Sequence, residues 1–582
     1  MSRYHIIQKI CFPKAAICLE EALYYRVASK MAWYDEKNEV FQMLPGQKVS
    51  FHTCFNVFSL AKWRKYCELQ NVIIRFMIEG TGRVEVIRGN WNGSLKEADI
   101  QVVFSSSFIC PQKQLFEIRP ELPHDGLTLA FRIISETNVS LYQAEYGMED
   151  EREPLSVKLA LNICTRNREA YLERNLQNLN AFYCEKNSEG TVPVVVITNN
   201  GNPLKLHPPL EECFIQQGNE SGSAGGFYYG CQTILNKAEQ FHLTHCVFMD
   251  DDIILDPEVC ERLLLFLSWL CPSYRTHTVG GAFMSVAEPA IQQEAGALWN
   301  DGCIQSVKPM LDMRKDHNIV WNEVEQKTEF MGWWFCCVPM ACLQKNGLPL
   351  KQLYFHRDDV ELGLRNPEQL TLAGIAVWHE SFASKASCIE RYYDTRNMPI
   401  VNAIHGEQSW KEYYRLCTQA VYKEWLRHRY NHAAFIMQGA EDFCKGRHWV
   451  QEHNSGAFFN ELAAQEPPKI PANETDCLKL LTDRRSIPPW PLWKRILLTY
   501  LLMNGLFLPF KKEAIVSYRN PAARETFHTR TAYSVSPDNR QCFINRLNGK
   551  TLFQECIRLI HLRKILKCRY ISVVQEWKDP SI

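Results

Sequence analysis

The chain has 582 residues, with 65 Lys+Arg against 65 Asp+Glu and a formal net charge of zero. That balance excludes nucleic-acid binding by broad phosphate neutralisation, and a hydrophobic content of 46% is that of a globular protein. The length exceeds what one core usually supports and predicts about two to four domains.

In chain order, the first residues, Met1 to His5, precede only a short apolar run from Ile10 to Leu19, broken by Pro13-Lys14. This is a poor match to a secretory leader. Short β-prone runs follow at Val72–Phe76, Arg83–Ile87, Ile100–Phe104 and Leu127–Ile133, with Asn90-Trp91-Asn92-Gly93 as a turn signal. Their spacing predicts a β-sandwich over residues 1–153, closed by the acidic, proline-containing stretch Glu149–Pro154.

Residues 154–405 change pattern. Val157–Cys164, Val194–Ile197 and Cys246–Met249 alternate with helical segments, which predicts a mostly parallel α/β domain. From residue 406 to 582 a mainly helical region is expected, with helices at Trp410–Tyr414, Ala420–Tyr430 and Ala433–Cys444. Within it Leu492–Phe510 is apolar, aromatic at both ends and flanked by Lys494-Arg495 and Lys511-Lys512. It reads as a core helix or as a segment lying in a membrane interface. No stretch reaches the roughly 18 uninterrupted apolar residues of a membrane span. The 23 cysteines form no repeating framework and no paired Cys-x-x-Cys, so reduced, mostly buried thiols of a cytosolic protein are expected.

The chemistry gathers at the predicted strand ends. Asp250-Asp251-Asp252 closes the strand His245–Met249, placing acid at the carboxyl edge of a sheet, where open α/β folds bind ligands. Crowded like charges there call for a cation; a solvated turn before Asp256-Pro257-Glu258 is the other reading. Thr165-Arg166-Asn167-Arg168 follows the first strand, where arginine and hydroxyl suit a nucleotide phosphate, and Thr and Asn equally suit helix caps. Gln217–Phe227 is rich in glycine and contains Asn219, as a ligand loop or a plain surface loop would be. It is neither a dinucleotide nor a P-loop fingerprint. Trp333-Trp334 is either a sugar platform or core. Asp358-Asp359 opens a helix, leaving one carboxylate to cap it and the other to take a proton. His379 ends the short run Ile375–Trp378, as a metal ligand or a satisfied core histidine.

Together Thr165-Arg166, Asn219 with its glycine-rich stretch, Asp250-Asp251-Asp252, Gly332-Trp333-Trp334, Asp358-Asp359-x-Glu361-x-Gly363 and Trp378-His379 resemble the inverting family 2 glycosyltransferases of the GT-A type. The likeness is greatest to bacterial galactofuranosyltransferases that build galactan, over roughly residues 157–400. It implies Asp250, Asp252 and His379 as ligands of Mn²⁺ or Mg²⁺. It also implies Thr165, Arg166, Asn199, Asn219, Gly225, Asp250 and Asp251 around the nucleotide. Asp359 would be the general base and Asp358 would orient sugar hydroxyls, with Trp333, Trp334 and His379 on the substrate side. The implied partners are a UDP-sugar donor and a saccharide or lipid-linked glycan acceptor, with no nucleic acid. A homo-oligomer and a cytoplasmic enzyme held peripherally at the inner membrane face are further expectations. Phe335 and Glu380-Ser381-Phe382 depart from that family's pattern. Donors other than UDP-galactofuranose, namely UDP-galactose, UDP-glucose or dTDP-rhamnose, stay open, as does a non-catalytic carbohydrate-binding protein.

Overall fold

A computed structural model of the chain describes residues 3–466 apart from 95, 186–190, 207 and 381–386, and then 493, 511–517, 529–535 and 542–578. Two runs read separately from the sequence, 72–76 and 83–87, are one strand, Ile73–Asn90. Ile74, Phe76 and Ile78 are fully buried while Arg75 and Met77 between them are less so, the two-residue period of a strand covered on one face. Gly80-Thr81-Gly82 does not end the strand. It marks where its second edge changes partner, from Val139–Asp150 to Thr128–Ser135, while Asp99–Ile118 pairs along the other edge. Asn90–Gly93 turns that hairpin as expected, with Gly93 at φ +83°. The sheet-rich amino-terminal unit is therefore one continuous nine-stranded sheet folded around Phe51, Phe76, Phe131 and Tyr146, rather than two separately bonded sheets.

The second unit is a mixed sheet. Four parallel strands stand in the order Cys213–Gln217, Val194–Asn199, Leu159–Thr165, His245–Asp250, followed by antiparallel Cys336–Pro339 and then Thr278–Ser285. Gln369–His379 runs parallel to Thr278–Ser285. Val194 to Ile197 are fully buried, as strands covered on both faces must be. The register brings Thr165, Asn199 and Gln217 to one edge and sets Cys164 beside Asp250. The glycine-rich stretch is largely the start of the helix Gly222–Phe241. A Cβ on Gly226 would lie 2.3 Å from Cys164 Sγ, and one on Gly230 would lie 1.9 Å from Asn162 Oδ1. These two glycines let the helix lie directly on the central strand.

One hydrophobic cluster runs through both units. Trp63 meets Phe266, Phe55 meets Trp378, and Lys14 reaches Asp256 at 2.8 Å. The carboxyl-terminal region is helical: Cys388–His405, Trp410–Leu426, Tyr430–Phe443 and Gly549–Lys578 pack around Tyr413, Phe443, Leu562 and Tyr570. Ser387 with Glu390 and Ser409 with Glu412 form capping boxes at two of these helices. A three-stranded sheet, Lys511–Ser517, Thr529–Val535 and Cys542–Arg546, interrupts the helical pattern. Leu492–Phe510 lies outside the described residues except for exposed Trp493. Among the described residues no helix is long and apolar enough to cross a membrane.

Candidate functional site

The acid at the end of His245–Asp250 turns inward. Asp250 is half-buried, and Asp251 and Asp252 are buried. Thr165 Oγ1 donates to Asp251 Oδ2 at 2.7 Å. The Arg168 guanidinium bonds Asp252 and lies 3.7 Å from Asp251 Oδ1. His379 Nε2 is 3.1 Å from Asp252 Oδ1 and 3.6 Å from Asp250 Oδ2. One ligand atom each from Asp250, Asp252 and His379 falls within 4.8 Å of the others. His379 is 1% exposed, and its Nδ1 lies 2.6 Å from the Glu380 carbonyl, to which it can only donate. That bond leaves the Nε2 lone pair facing the carboxylates, the orientation a metal-binding imidazole needs. Three carboxyl groups thus gather around one guanidinium and one imidazole. Two carboxylate oxygens and one nitrogen are a donor set that fits a divalent ion, and the nitrogen tilts the preference toward Mn²⁺.

Across Cys164 lies a second acid group. Asp358 and Asp359 open the helix Asp358–Arg365. Burial, and then the charge of Asp359, push the Asp358 carboxyl up to about 7, although Ser223 Oγ donates to its Oδ2 at 3.1 Å. Burial raises Asp359 as well; its Oδ1 accepts the Val360 amide at 2.8 Å. Burial and Asp359 also lift Glu294 to about 7, and Ser306 donates to that carboxyl. Cys164 reports the convergence of the two groups: burial raises its thiol first, then the charges of Asp251, Asp250 and Asp358 add to it. Glu361, by contrast, is tied to His405 at 3.0 Å and to Arg365 at 2.6 Å, an internal salt link.

The turn that presents the acid pair is strained. Tyr354, His356 and Arg357 have φ of +63°, +65° and +70°, each a conformation costing on the order of 1–3 kcal/mol for a residue with a side chain. Tyr354 is the centre of a tight three-residue turn, closed by Phe355 N–H to Leu353 O at 2.7 Å.

Other residues expected at the site are placed as follows. Arg166 is exposed and points to the carboxyl-terminal helix Gly456–Gln465, with Asn460 Oδ1 at 3.2 Å and the Phe459 ring at 4.6 Å; Arg168, not singled out, is the arginine on the acids. Asn199 is buried, and its amide closes its own turn, donating to Asn202 O at 2.7 Å and accepting from Gly201 N–H at 2.9 Å. Asn219 is exposed with φ +52°. Gly225 is buried within a helix rather than in a loop. Trp333 and Trp334 are 5% and 4% exposed. Trp333 stacks on Phe248 at 4.6 Å, and Trp334 donates from Nε1 to Gly281 O at 3.0 Å. Both rings are buried, and Trp333 lies between Phe248 of a strand and Phe227 of a helix, which departs from the expectation of a sugar platform. Glu294 escaped sequence reading because a lone glutamate at the end of a short strand, Ile291–Glu294, carries no motif.

The family model for the galactofuranosyltransferase 2 amino-terminal region matches residues 7–149. The galactofuranosyltransferase GlfT2 of Mycolicibacterium smegmatis is 25% identical over 442 residues, 69% of this chain and 65% of its own length, so the match spans just under two thirds of that relative. GlfT2 of Mycobacterium tuberculosis is 23% identical over 533 residues, 85% of this chain and 79% of its own. A solved structure of GalNAc-T7 with UDP, GalNAc and Mn²⁺ overlaps 56% of this chain and 60% of its own at 13% identity and a TM-score of 0.32, too slight a likeness to bear on the fold. The amino-terminal family match and the two relatives make this chain galactofuranosyltransferase-like.

Proposed function

We propose that this chain is a metal-dependent, inverting glycosyltransferase of GT-A fold that moves galactofuranose from UDP-galactofuranose to a glycan or lipid-linked glycan. The observation that carries the reading is the presence of two acid groups near one cysteine: Asp250, Asp252 and His379 converge at a strand end, and buried Asp358 with half-buried Asp359 opens the neighbouring helix. The likeness to the mycobacterial enzymes supports the donor.

Asp250, Asp252 and His379 would hold a divalent ion, which would supply neutralisation of charge on the departing diphosphate. Asp359 takes the proton of an acceptor hydroxyl. The hydroxyl oxygen bonds to the anomeric carbon from the face opposite the diphosphate, the bond from that carbon to the diphosphate oxygen breaks, and the configuration inverts. Asp358, held by Ser223, orients sugar hydroxyls and shares the proton inventory of the pair. Thr165 and Arg168 fix the acidic turn, and Arg166 and Asn219 would meet the nucleotide.

The test is a donor-by-acceptor panel with Mn²⁺ or Mg²⁺, scored by product mass and anomeric configuration. Transfer from UDP-galactofuranose with inversion, lost on chelation and in Asp359→Asn, is expected. Transfer only from UDP-galactose, UDP-glucose or dTDP-rhamnose moves the donor assignment; no transfer from any donor favours a carbohydrate-binding protein and overturns the reading.

We also infer contact with an anionic lipid surface through the helix Gly549–Lys578. Its inner face packs Leu552, Leu559, Leu562, Leu566 and Tyr570 into the core. Opposite them Phe553, Ile557, Ile560 and Ile571 are 53–65% exposed, at spacings that keep them in one stripe. The exposed charged residues of this helix are all cations: Lys550, Arg563, Lys564, Lys567, Arg569 and Lys578. Apolar residues amid base suit an anionic headgroup layer, and a second copy of the same stripe would set lysines against lysines. Sedimentation with phosphatidylcholine vesicles, with and without phosphatidylglycerol, is expected to show binding only to the anionic ones, lost in Ile557→Glu with Ile560→Glu. Binding unchanged by either would overturn it.

A further inference from the structure

The turn that carries the acid pair is gripped from one side by a single helix, Cys388–His405. Asp394 Oδ1 accepts from His356 Nδ1 at 3.1 Å and lies 3.2 Å from Arg357 Nη2. Asn397 Nδ2 lies 2.9 Å from each of the carbonyls of Leu353, Phe355 and His356. Arg396 Nη2 donates to Leu353 O at 2.8 Å. Asn397 and Arg396 are completely buried. These bonds fall on His356 and Arg357, two of the three residues with positive φ, and on Leu353 and Phe355, which flank the third, Tyr354. The same turn touches the donor side: the Ala224 amide donates to Tyr354 O at 3.1 Å, and Ser223 reaches Asp358.

Such backbone is held only where its surroundings over-determine it, and here three side chains of one helix, Asp394, Arg396 and Asn397, supply much of that hold. We propose that Asp394, Arg396 and Asn397 are positioning residues, with Asp394 as the anchor that holds the strained turn so that Asp359 meets the acceptor hydroxyl while the start of Gly222–Phe241 stays keyed to it. None of the three need touch substrate. The proposal rests on the glycosyltransfer reading, in which Asp359 is the base. Its logic is geometric: a base displaced by about 1 Å can cost about 10²-fold in rate without any loss of binding.

Asp394→Asn in the full chain keeps the shape and removes the charge that orders His356 and Arg357. Three quantities test it: kcat for sugar transfer, the dissociation constants of Mn²⁺ and UDP, and hydrogen exchange of the peptide covering 353–360. The expected result is a fall in kcat of about 10²-fold, faster exchange at 353–360, and unchanged Mn²⁺ and UDP binding and melting temperature. Asp394→Glu, which retains the charge, is expected to recover part of the rate. Looser exchange with full kcat would overturn the positioning role, as would a parallel loss of Mn²⁺ and UDP binding in a chain that still folds. Should Asp394→Asn fail to fold, His356→Gln, which leaves the Arg357 link in place, is read by the same three measurements against the same outcomes. A wild-type chain that transfers no sugar sinks the enzymatic reading instead, and does so without reference to any variant.

Discussion

Two clusters of aspartate face each other across Cys164, and they are treated oppositely by their surroundings. At the end of His245–Asp250 the carboxylates meet a hydroxyl, a guanidinium and an imidazole, from Thr165, Arg168 and His379. Asp358 is buried and Asp359 half-buried, with a hydroxyl and a backbone amide for direct partners, while the nearby His356 and Arg357 are engaged by Asp394. Identical side chains are therefore set in different environments: the first group is met by cationic and hydrogen-bonding partners, and burial raises the pKa of both members of the second. A difference of this kind between neighbouring acids assigns the electrostatic role to one and proton transfer to the other.

The sharpest way to break this division is to remove one acid from each side. Asp359→Asn is expected to lower kcat by about 10²–10⁴-fold, the range of a lost general base, while Mn²⁺ binding followed by electron paramagnetic resonance stays as in the parent. Asp252→Asn should do the reverse at the level of binding, abolishing the bound Mn²⁺ signal and, with it, transfer. If Asp359→Asn also released Mn²⁺, the two clusters would be one site and the division of roles would fail.

A smaller effect separates the clusters by pH. A base must be ionised to accept a proton, and burial raises both Asp358 and Asp359, the former to about 7. The rate kcat/KM is therefore expected to fall as pH drops through about 7. That limb belongs to the pair rather than to either residue. Asp358→Asn removes one of two repelling charges, so the limb should move to lower pH even as the maximum rate declines. An acid limb that ignores this substitution would show that some other group, such as Glu294, controls it.

The same burial has a consequence for stability. Between its unfolded value near 4 and its folded value of about 7, Asp358 binds more proton in the folded chain than in the unfolded one. Its contribution to stability is thus fullest below about 4 and is lost as pH rises through about 7. Asp358→Asn should stabilise the chain at pH 8, on the order of 1 kcal/mol, and give no comparable gain at pH 4. Thermal unfolding at the two pH values measures this directly.

The two clusters also differ in how far the sequence exposes them. The acidic strand end was legible because an apolar run stopping in acid is local information, and His379 because it closes a second such run. The parallel core followed from its strand–helix alternation in the same way. What escaped is what depends on distant partners. Arg166 and Arg168 differ only in which side of a strand-to-helix turn they leave, and only the folded turn directs Arg168 to the acids. Gly226 and Gly230 look like loop formers until Cys164 and Asn162 are placed beneath them. Glu294 and Asp394 carry no motif, and reach the acid pair through strands and helices far along the chain.

The tryptophan pair gives the smallest expected effect on activity and tests that lesson most directly. Adjacent tryptophans near an acid pair suit a sugar platform, yet Trp333 lies against Phe248 and Phe227, and Trp334 is anchored to Gly281. For a platform, Trp333→Phe would shrink the surface under a sugar ring and raise the acceptor KM. For a core residue, the phenyl ring keeps the stack on Phe248 and leaves a small void, so the cost falls on stability, about 1–3 kcal/mol, with kcat and KM near those of the parent. Melting temperature and acceptor KM, measured on the one variant, move in opposite senses under the two descriptions. A stable protein with a weakened acceptor would mean that the ring turns out toward the substrate during turnover, and the core assignment would have to be given up.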